Sequence, residues 1–340
     1  MSAPRTRKRG LKTWSAFGNL GRRPTDYEIV THNLNHTTGP IPLEMGPDVH
    51  GNRWLIEHRD SSGLTVGAWD AFRDPDAVTY GTYVAGQDDQ ETYVEGLLEQ
   101  FDGEGHDAVL APATLQYLAT VVTPGRYLAH GQQLLSAYLQ QLAPTSYLSN
   151  AAAFQTADQL RRVQLVAYRT TQLARTHPGA AFGTGERARW EQHQDWTVVR
   201  EAVEYALVEF DLDRSLVAAQ LVLKPVTDLV LLDELGRELT AAGARLDALI
   251  VENLVRDARR SRRWTAALLT FLAAADPGNI GVLQRVLDDW APRGHAVVDA
   301  AARLVATAGH RSAAEIADSA RAGWRALLEP AGLTVDGPER

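Results

Sequence analysis

Residues 149–173 read SNAAAFQTADQLRRVQLVAYRTTQL. Nothing in this run breaks a helix: it holds neither glycine nor proline, and its apolar residues recur at helical spacing. Gln159 and Arg162 stand three residues apart, so they share one helix face with Val163 and Val166. Bundles that hold a carboxylate-bridged pair of metal ions use Glu-x-x-His at this same spacing, projecting inward from facing helices. Here the pair is Gln159-Leu160-Arg161-Arg162. Glutamine is a neutral, weak ligand, and a guanidinium is a cation that does not deprotonate in a protein. The helix has the frame of a metal site without its ligands, as expected of a subunit that accompanies a metal-bearing chain.

The neighbouring segments repeat the pattern. None of the ten histidines has Asp or Glu three residues before or after it. Between Asp107 and Asp158 there is no carboxylate at all, so the helix expected at 125–143, GRYLAHGQQLLSAYLQQLA, has no acid to offer a metal. Its His130 reads as a structural residue. In the segment 246–264, LDALIVENLVRDARRSRRW, the run Asp257-Ala258-Arg259-Arg260-Ser261 places alanine and serine where Glu and His would stand. Arg259, Arg260, Arg262 and Arg263 would repel a cation, and they predict a face turned to water, an acidic helix or a partner. Asp88, Asp89, Glu91 and Glu95 predict an exposed acidic helix face.

From about Asp76 the helical period continues nearly to the end. It predicts helices at 76–102, 107–122, 125–143, 149–175, 186–210, 212–240, 244–259, 261–275, 278–290, 295–308 and 311–328. Most prolines fall between these segments; Pro225 falls inside one and should kink it or shift its start. No period-two alternation supports a sheet. The expected fold is all-α, with 125–175 and 212–261 forming two antiparallel pairs in a ferritin-like bundle. Two domains follow: an extended N-terminal arm at 1–75 and a helical body at 76–330. The arm mixes Gly, Pro, Asn and Thr with isolated aromatics and shows no lasting helical period. It either wraps its own body or lies across another chain.

Composition narrows the function. The chain has 340 residues, no cysteine and a net charge of −8. Disulfides, thiolate metal sites, iron–sulfur clusters and thiol nucleophiles are therefore excluded, and a reducing cytoplasm is expected. The first 25 residues carry seven Arg or Lys and no acid, so the remainder stands at −15 (−8 less +7). An acidic body argues against nucleic acid as a main partner. The basic start has no apolar core behind it, and no apolar run is expected to span a membrane. Nucleotide-binding glycine loops and the Gly-x-Ser-x-Gly elbow are missing.

Four segments, 11–38, 69–101, 124–173 and 210–239, carry a family likeness. In them the chain resembles the β subunit of the hydroxylase component of soluble bacterial di-iron multicomponent monooxygenases, in the toluene and alkene monooxygenase group. The resemblance implies a ferritin-like, ribonucleotide-reductase-like helical fold and a non-catalytic subunit without metal ligands. The family's first Glu-x-x-His falls on Gln159 and Arg162, its second on Ala258 and Ser261, and its remaining Glu positions fall near Tyr127 to His130 and near Lys224. It implies an α subunit that holds the di-iron centre and, in some assemblies, a γ subunit, as αβ or (αβγ)2 complexes. A small regulatory protein, an NAD(P)H-dependent reductase with FAD and an iron–sulfur cluster, and in some systems a ferredoxin complete the set. The reaction implied is insertion of one O2-derived oxygen into a small hydrocarbon, by alkene epoxidation or aromatic hydroxylation. Trp14, Phe17, Arg22, Arg23, Pro24 and Tyr27 are the expected contacts with α. The alternatives are an autonomous ferritin-like di-iron enzyme, which the missing ligands oppose, and a helical interaction protein unrelated to oxidation, which the four segments oppose.

Overall fold

The structure is a computed structural model that describes residues 17, 20–32 and 48–335. Among the described residues there is no strand. The helices are α1 Asp26–Thr31, α2 His50–Leu55, α3 Tyr80–Gly103, α4 Pro112–Tyr117, α5 Gly125–Leu142, α6 Ser146–Thr176, α7 Glu186–Gln192 and α8 Gln194–Ala206. They continue as α9 Leu212–Ala241, α10 Arg245–Ala275, α11 Gly278–Ala306 and α12 Ala313–Leu328.

The core is the expected pair of antiparallel hairpins. Proline 144 ends the first hairpin's turn between α5 and α6, and Gly243, at φ 79°, supplies the left-handed residue between α9 and α10. α6 and α10 run antiparallel, since Gln155 meets Ser261 at one end and Arg169 meets Asp247 at the other. α11 and α12 cover the far side of α9. There Gly294 lets the helices close up: a Cβ would lie 2.6 Å from Trp324 and 2.8 Å from Val222.

α9 is apolar and long enough to cross a membrane by composition alone, but 94% of its most apolar window is buried inside the protein, so it is the central core helix. Pro225 does not break it. π-helical turns at Val217–Leu223 and Leu229–Glu234 flank the proline. Proline has no N–H to offer the carbonyl four residues back, that of Leu221. That carbonyl accepts instead from the indole Nε1 of Trp324 at 2.5 Å.

Three expected boundaries are corrected. The segments 244–259 and 261–275 are one helix, α10, because the charged run at its middle has counter-ions on other helices and on the turn before α3. Arg260 pairs with Asp158, Arg262 with Asp233 and Arg263 with Asp76. Those arginines thus face acids of the same chain. The segments 278–290 and 295–308 are one helix, α11, with Pro292 inside it. Pro292 and Asp288, the residue whose carbonyl loses its partner, are both exposed, so water can satisfy that carbonyl while Trp290 and Val297 stay packed. Conversely, 186–210 divides into α7 and α8 at His193, whose ring accepts from the Asp195 amide as a cap.

The arm contains short helices that its sequence does not announce. α1 opens with a capping box, in which Glu28 N–H donates to Thr25 Oγ1 and Thr25 N–H donates to Glu28 Oε2. The described arm aromatics pack on the chain's own body. Tyr27 lies against Tyr147, Trp69 and Phe72 against Phe271, and Trp54 against Phe210, with its Nε1 donating to Tyr138.

Candidate functional site

The polar interior of the bundle is a seam between α6, α9 and α10. Gln159, Arg162, Lys224 and Ala258, four positions that separate parts of the sequence supply, line one void of about 10 Å³ together with Asp158, Leu232, Leu254 and Asp257. A space of that size holds no more than a single water. Ser261 lies one turn beyond Ala258 on α10. Its hydroxyl donates to Gln155 Oε1 at 2.5 Å, Gln155 Nε2 donates to Ser136 at 2.8 Å, and the Ser136 hydroxyl donates to the Gln132 carbonyl. Gln132 Nε2 in turn donates to Thr227 on α9 at 2.6 Å. A chain of neutral hydrogen bonds therefore ties all four core helices together.

The charges form a second system. Lys224 Nζ donates to Asp228 Oδ2 at 2.5 Å, one helical turn on, and Arg162 Nη1 stands 3.6 Å from Asp228 Oδ1. Arg162 Nη2 reaches the Leu231 carbonyl at 3.4 Å. All three residues are buried. Burial pushes the Arg162 guanidinium down from its ordinary value, with the Asp228 carboxylate acting against that. Next to them, Arg161 binds Asp257 at 3.2 Å and the Asn253 side-chain oxygen at 2.7 Å, and also pairs with Glu91 on α3. Arg260 pairs with Asp158, which also accepts from Tyr83 at 2.9 Å. Burial, with Asp257 close by, pushes the Asp158 carboxyl up to about 6 against the pull of Arg260. At the far end Arg169 bridges Asp107 and Asp247.

The donor set does not suit a pair of metal ions. Arg162 and Lys224 beside the void are cations, Leu232, Leu254 and Ala258 have no side-chain ligand atom, and the nearby carboxylates are engaged by Arg and Lys. Among the described residues no group of three or more His, Asp or Glu could hold a metal. Within the window Tyr127 to His130, Leu128 is buried, Tyr127 stacks on Trp190, and His130 is exposed and bonded to Gln133.

Asp228, Asp158 and Asp257 are central to the seam and were not singled out from the sequence. For Asp228 the signal was its i,i+4 spacing from Lys224 inside an apolar run. For Asp158 and Asp257 there was none, since their partners lie on other helices.

The expected α contacts are divided. Trp14 lies outside the described residues. Phe17 stacks near His32, which lies 6.0 Å from the Tyr147 ring. Pro24 and Tyr27 are buried, and Arg22 and Arg23 are exposed. Arg22 donates to both oxygens of Glu28, at 2.8 Å each. Those bonds, foremost, hold the Glu28 carboxyl far below the usual carboxylate range.

Comparison with known proteins agrees with this architecture. Residues 54–276 match the family model described as methane/phenol/alkene hydroxylase. The chain is 36% identical, over 84% of its length and 88% of the relative's, to the toluene-4-monooxygenase system hydroxylase component subunit beta of Ectopseudomonas mendocina. It is 25% identical, over 95% and 90%, to the propane 2-monooxygenase hydroxylase component small subunit of Mycolicibacterium smegmatis. Among solved structures, toluene 4-monooxygenase with toluene in its resting active site superposes at a TM-score of 0.83 and 35% identity, covering 88% of this chain and 99% of that one. Phenol hydroxylase from Pseudomonas sp. OX1 shares the fold at 19% identity and a TM-score of 0.83, over 99% and 98%. With its four-helix core, its ligand-free seam and these matches, the chain belongs to the methane/phenol/alkene hydroxylase family.

Proposed function

We propose that this chain is the non-catalytic β, or small, subunit of the hydroxylase component of a soluble di-iron monooxygenase. The observation that carries this reading is the void itself, where Arg162 and Lys224 stand with Gln159 and Ala258. The chain is part of a multicomponent oxidoreductase, and the iron it serves belongs to an α partner. An NAD(P)H-dependent reductase, carrying FAD and an iron–sulfur cluster, would supply the electrons, with a small regulatory protein and, in some systems, a ferredoxin or a γ chain. The substrate class is a small hydrocarbon, and the toluene named for the relative makes aromatic hydroxylation the first reaction to assay, with alkene epoxidation second. Assembly in the cytoplasm accords with the cysteine-free sequence.

What this chain contributes is rigidity. Metal ligands tolerate small displacements only, and a paralogous bundle whose helices are cross-linked by buried ion pairs offers a stiff wall against which α can hold its own helices. The arm, with Trp14, Phe17, Arg22, Arg23, Pro24 and Tyr27, is proposed to extend that contact. Tyr27 and Glu28 are already built into the body, so the segment to remove is 1–20. Its deletion should weaken association with α and leave the helical content unchanged.

The test is co-expression with the α subunit of the same hydroxylase, followed by metal analysis. About two irons per α in the complex, with none in this chain purified alone, is the expected result. Stoichiometric iron in this chain alone would overturn the reading.

A further inference from the structure

Three buried polar atoms at the seam have no hydrogen-bond partner among the described residues: Gln159 Oε1, Arg162 Nη1 and Asp228 Oδ1. The three residues are at most 5% exposed, so bulk solvent does not serve them. Buried polar groups in folded proteins are almost always paired, and each of these calls for a partner. Gln159 and Arg162 line the void of about 10 Å³ that Asp257 and Ala258 also border. Asp228 stands behind Arg162, with 3.6 Å between Oδ1 and Nη1. That gap is too long for a direct hydrogen bond and short enough for one water to touch both atoms.

Size and charge narrow what fits. The space takes about one water and nothing larger. At and behind its walls the cations Arg161, Arg162, Lys224 and Arg260 face the carboxylates Glu91, Asp158, Asp228 and Asp257, so the two sets balance. A metal ion placed there would meet Arg162 and Lys224, and an anion would meet Asp158 and Asp257. A neutral molecule that both donates and accepts meets no such opposition. The amide oxygen of Gln159 and the carboxylate oxygen of Asp228 only accept, and the guanidinium of Arg162 only donates. Two acceptors and one donor match the two hydrogens and a lone pair of water, the three bonds typical of a buried one.

A neighbouring void is the internal control. It measures about 20 Å³ and shares Arg162, Leu232 and Leu254 with the first. Its other walls include the carbon side chains of Val121, Val166 and Val251, and the ring of Trp196, whose Nε1 already donates to the Thr120 carbonyl at 2.8 Å. This void is the larger of the two, but it offers water only the guanidinium edge and so lacks the two to four polar partners a buried water needs.

We propose that the smaller void is a binding site for one ordered water, which accepts from Arg162 Nη1 and donates to Gln159 Oε1 and Asp228 Oδ1, while the larger apolar void beside it stays dry. The water joins α6, which carries Gln159 and Arg162, to α9, which carries Asp228. It completes a carboxylate whose other oxygen takes Lys224. The inference concerns the interior of this chain and stands apart from the β-subunit reading.

The test is a crystal structure of the full-length chain, grown with bromide as the sole halide, at a resolution that shows ordered water. Gln159→Met, checked for wild-type circular dichroism, is crystallised alongside, and Arg162→Met serves the same comparison if Gln159→Met does not fold. The expected result is a single peak of water height about 2.6–3.2 Å from both Gln159 Oε1 and Arg162 Nη1. It should carry no anomalous signal and vanish in the variant, and the larger void should show no peak. In solution, water oxygen-17 relaxation dispersion counts long-lived internal waters, and the variant should lower that count by one. No peak at Gln159 and Arg162, or an unchanged count, overturns the proposal. An anomalous peak there makes the ligand an anion and overturns it as well. Water in both voids overturns the claim that polar partners decide which one is filled.

Discussion

The joint between Pro225 and Trp324 gives the most discriminating stability experiment. Trp324 is fully buried, and its Nε1 is the donor to the Leu221 carbonyl, which Pro225 cannot serve. Trp324→Phe removes that donor and part of a ring that packs within 2.6 Å of the space above Gly294. Leaving a buried carbonyl short of a donor costs about 1–3 kcal/mol, and the smaller ring adds about 1–2 kcal/mol for the gap it leaves. The single change should therefore cost roughly 2–5 kcal/mol by these terms. Pro225→Ala restores a backbone N–H aimed at the same carbonyl. In that background the loss from Trp324→Phe should shrink by about 1–2 kcal/mol, because the hydrogen-bond part is relieved and the packing part is not. Urea unfolding of the four proteins, followed by circular dichroism at 222 nm, reads the cycle directly. Additivity within about 0.5 kcal/mol would refute the argument that the indole stands in for the missing amide.

Further predictions concern the seam. Asp228→Asn leaves Arg162 and Lys224 buried without their shared carboxylate and should destabilise the chain by about 3–5 kcal/mol, whereas Arg162→Met, which leaves Lys224–Asp228 intact, should fall within about 1 kcal/mol of wild type; chemical denaturation midpoints separate the two. Asp158 has a folded pKa raised to about 6. A carboxyl raised above its unfolded value makes the native state the tighter proton binder, so this residue's contribution to stability falls as pH rises from about 4 to about 6 and stays low above that. Asp158→Asn should flatten that part of the wild-type stability profile measured between pH 4 and 7, and an unchanged slope would count against the assignment. Gly294→Ala should cost about 1–3 kcal/mol through overpacking against Trp324 and Val222, seen as a lower Tm.

Periodicity was sufficient for the helical frame because most core faces are apolar, and the two hairpins of 125–176 and 212–275 follow from it. It failed where polar residues point inward. The arginines after Asp257 look like the end of a helix in sequence, yet Asp158 and Asp76, which neutralise two of them, lie about a hundred or more residues earlier. Pro292 looked like a stop because a sequence does not say whether the carbonyl it orphans faces water. The ligand positions expected from spacing and family likeness were Gln159, Arg162, Ala258 and Ser261, and the first three of these line one void. The carboxylates that balance the buried cations could not be located this way, since each is set by which helix lies opposite. The short helices of the arm escaped for a different reason: α1 is one and a half turns held by the Thr25–Glu28 box and by Arg22 and Arg73 on Glu28, too short for a period to register.

The ion pairs that join α6 to α10 also bear on what the fold draws from solution. In a metal-bearing bundle a cross-link between those helices arrives from solution, and binding it adds to the stability of the fold. Here Arg161–Asp257, Arg260–Asp158 and Arg169–Asp247 are encoded in the chain itself. These three links need nothing from solution, so a chelator would not break them.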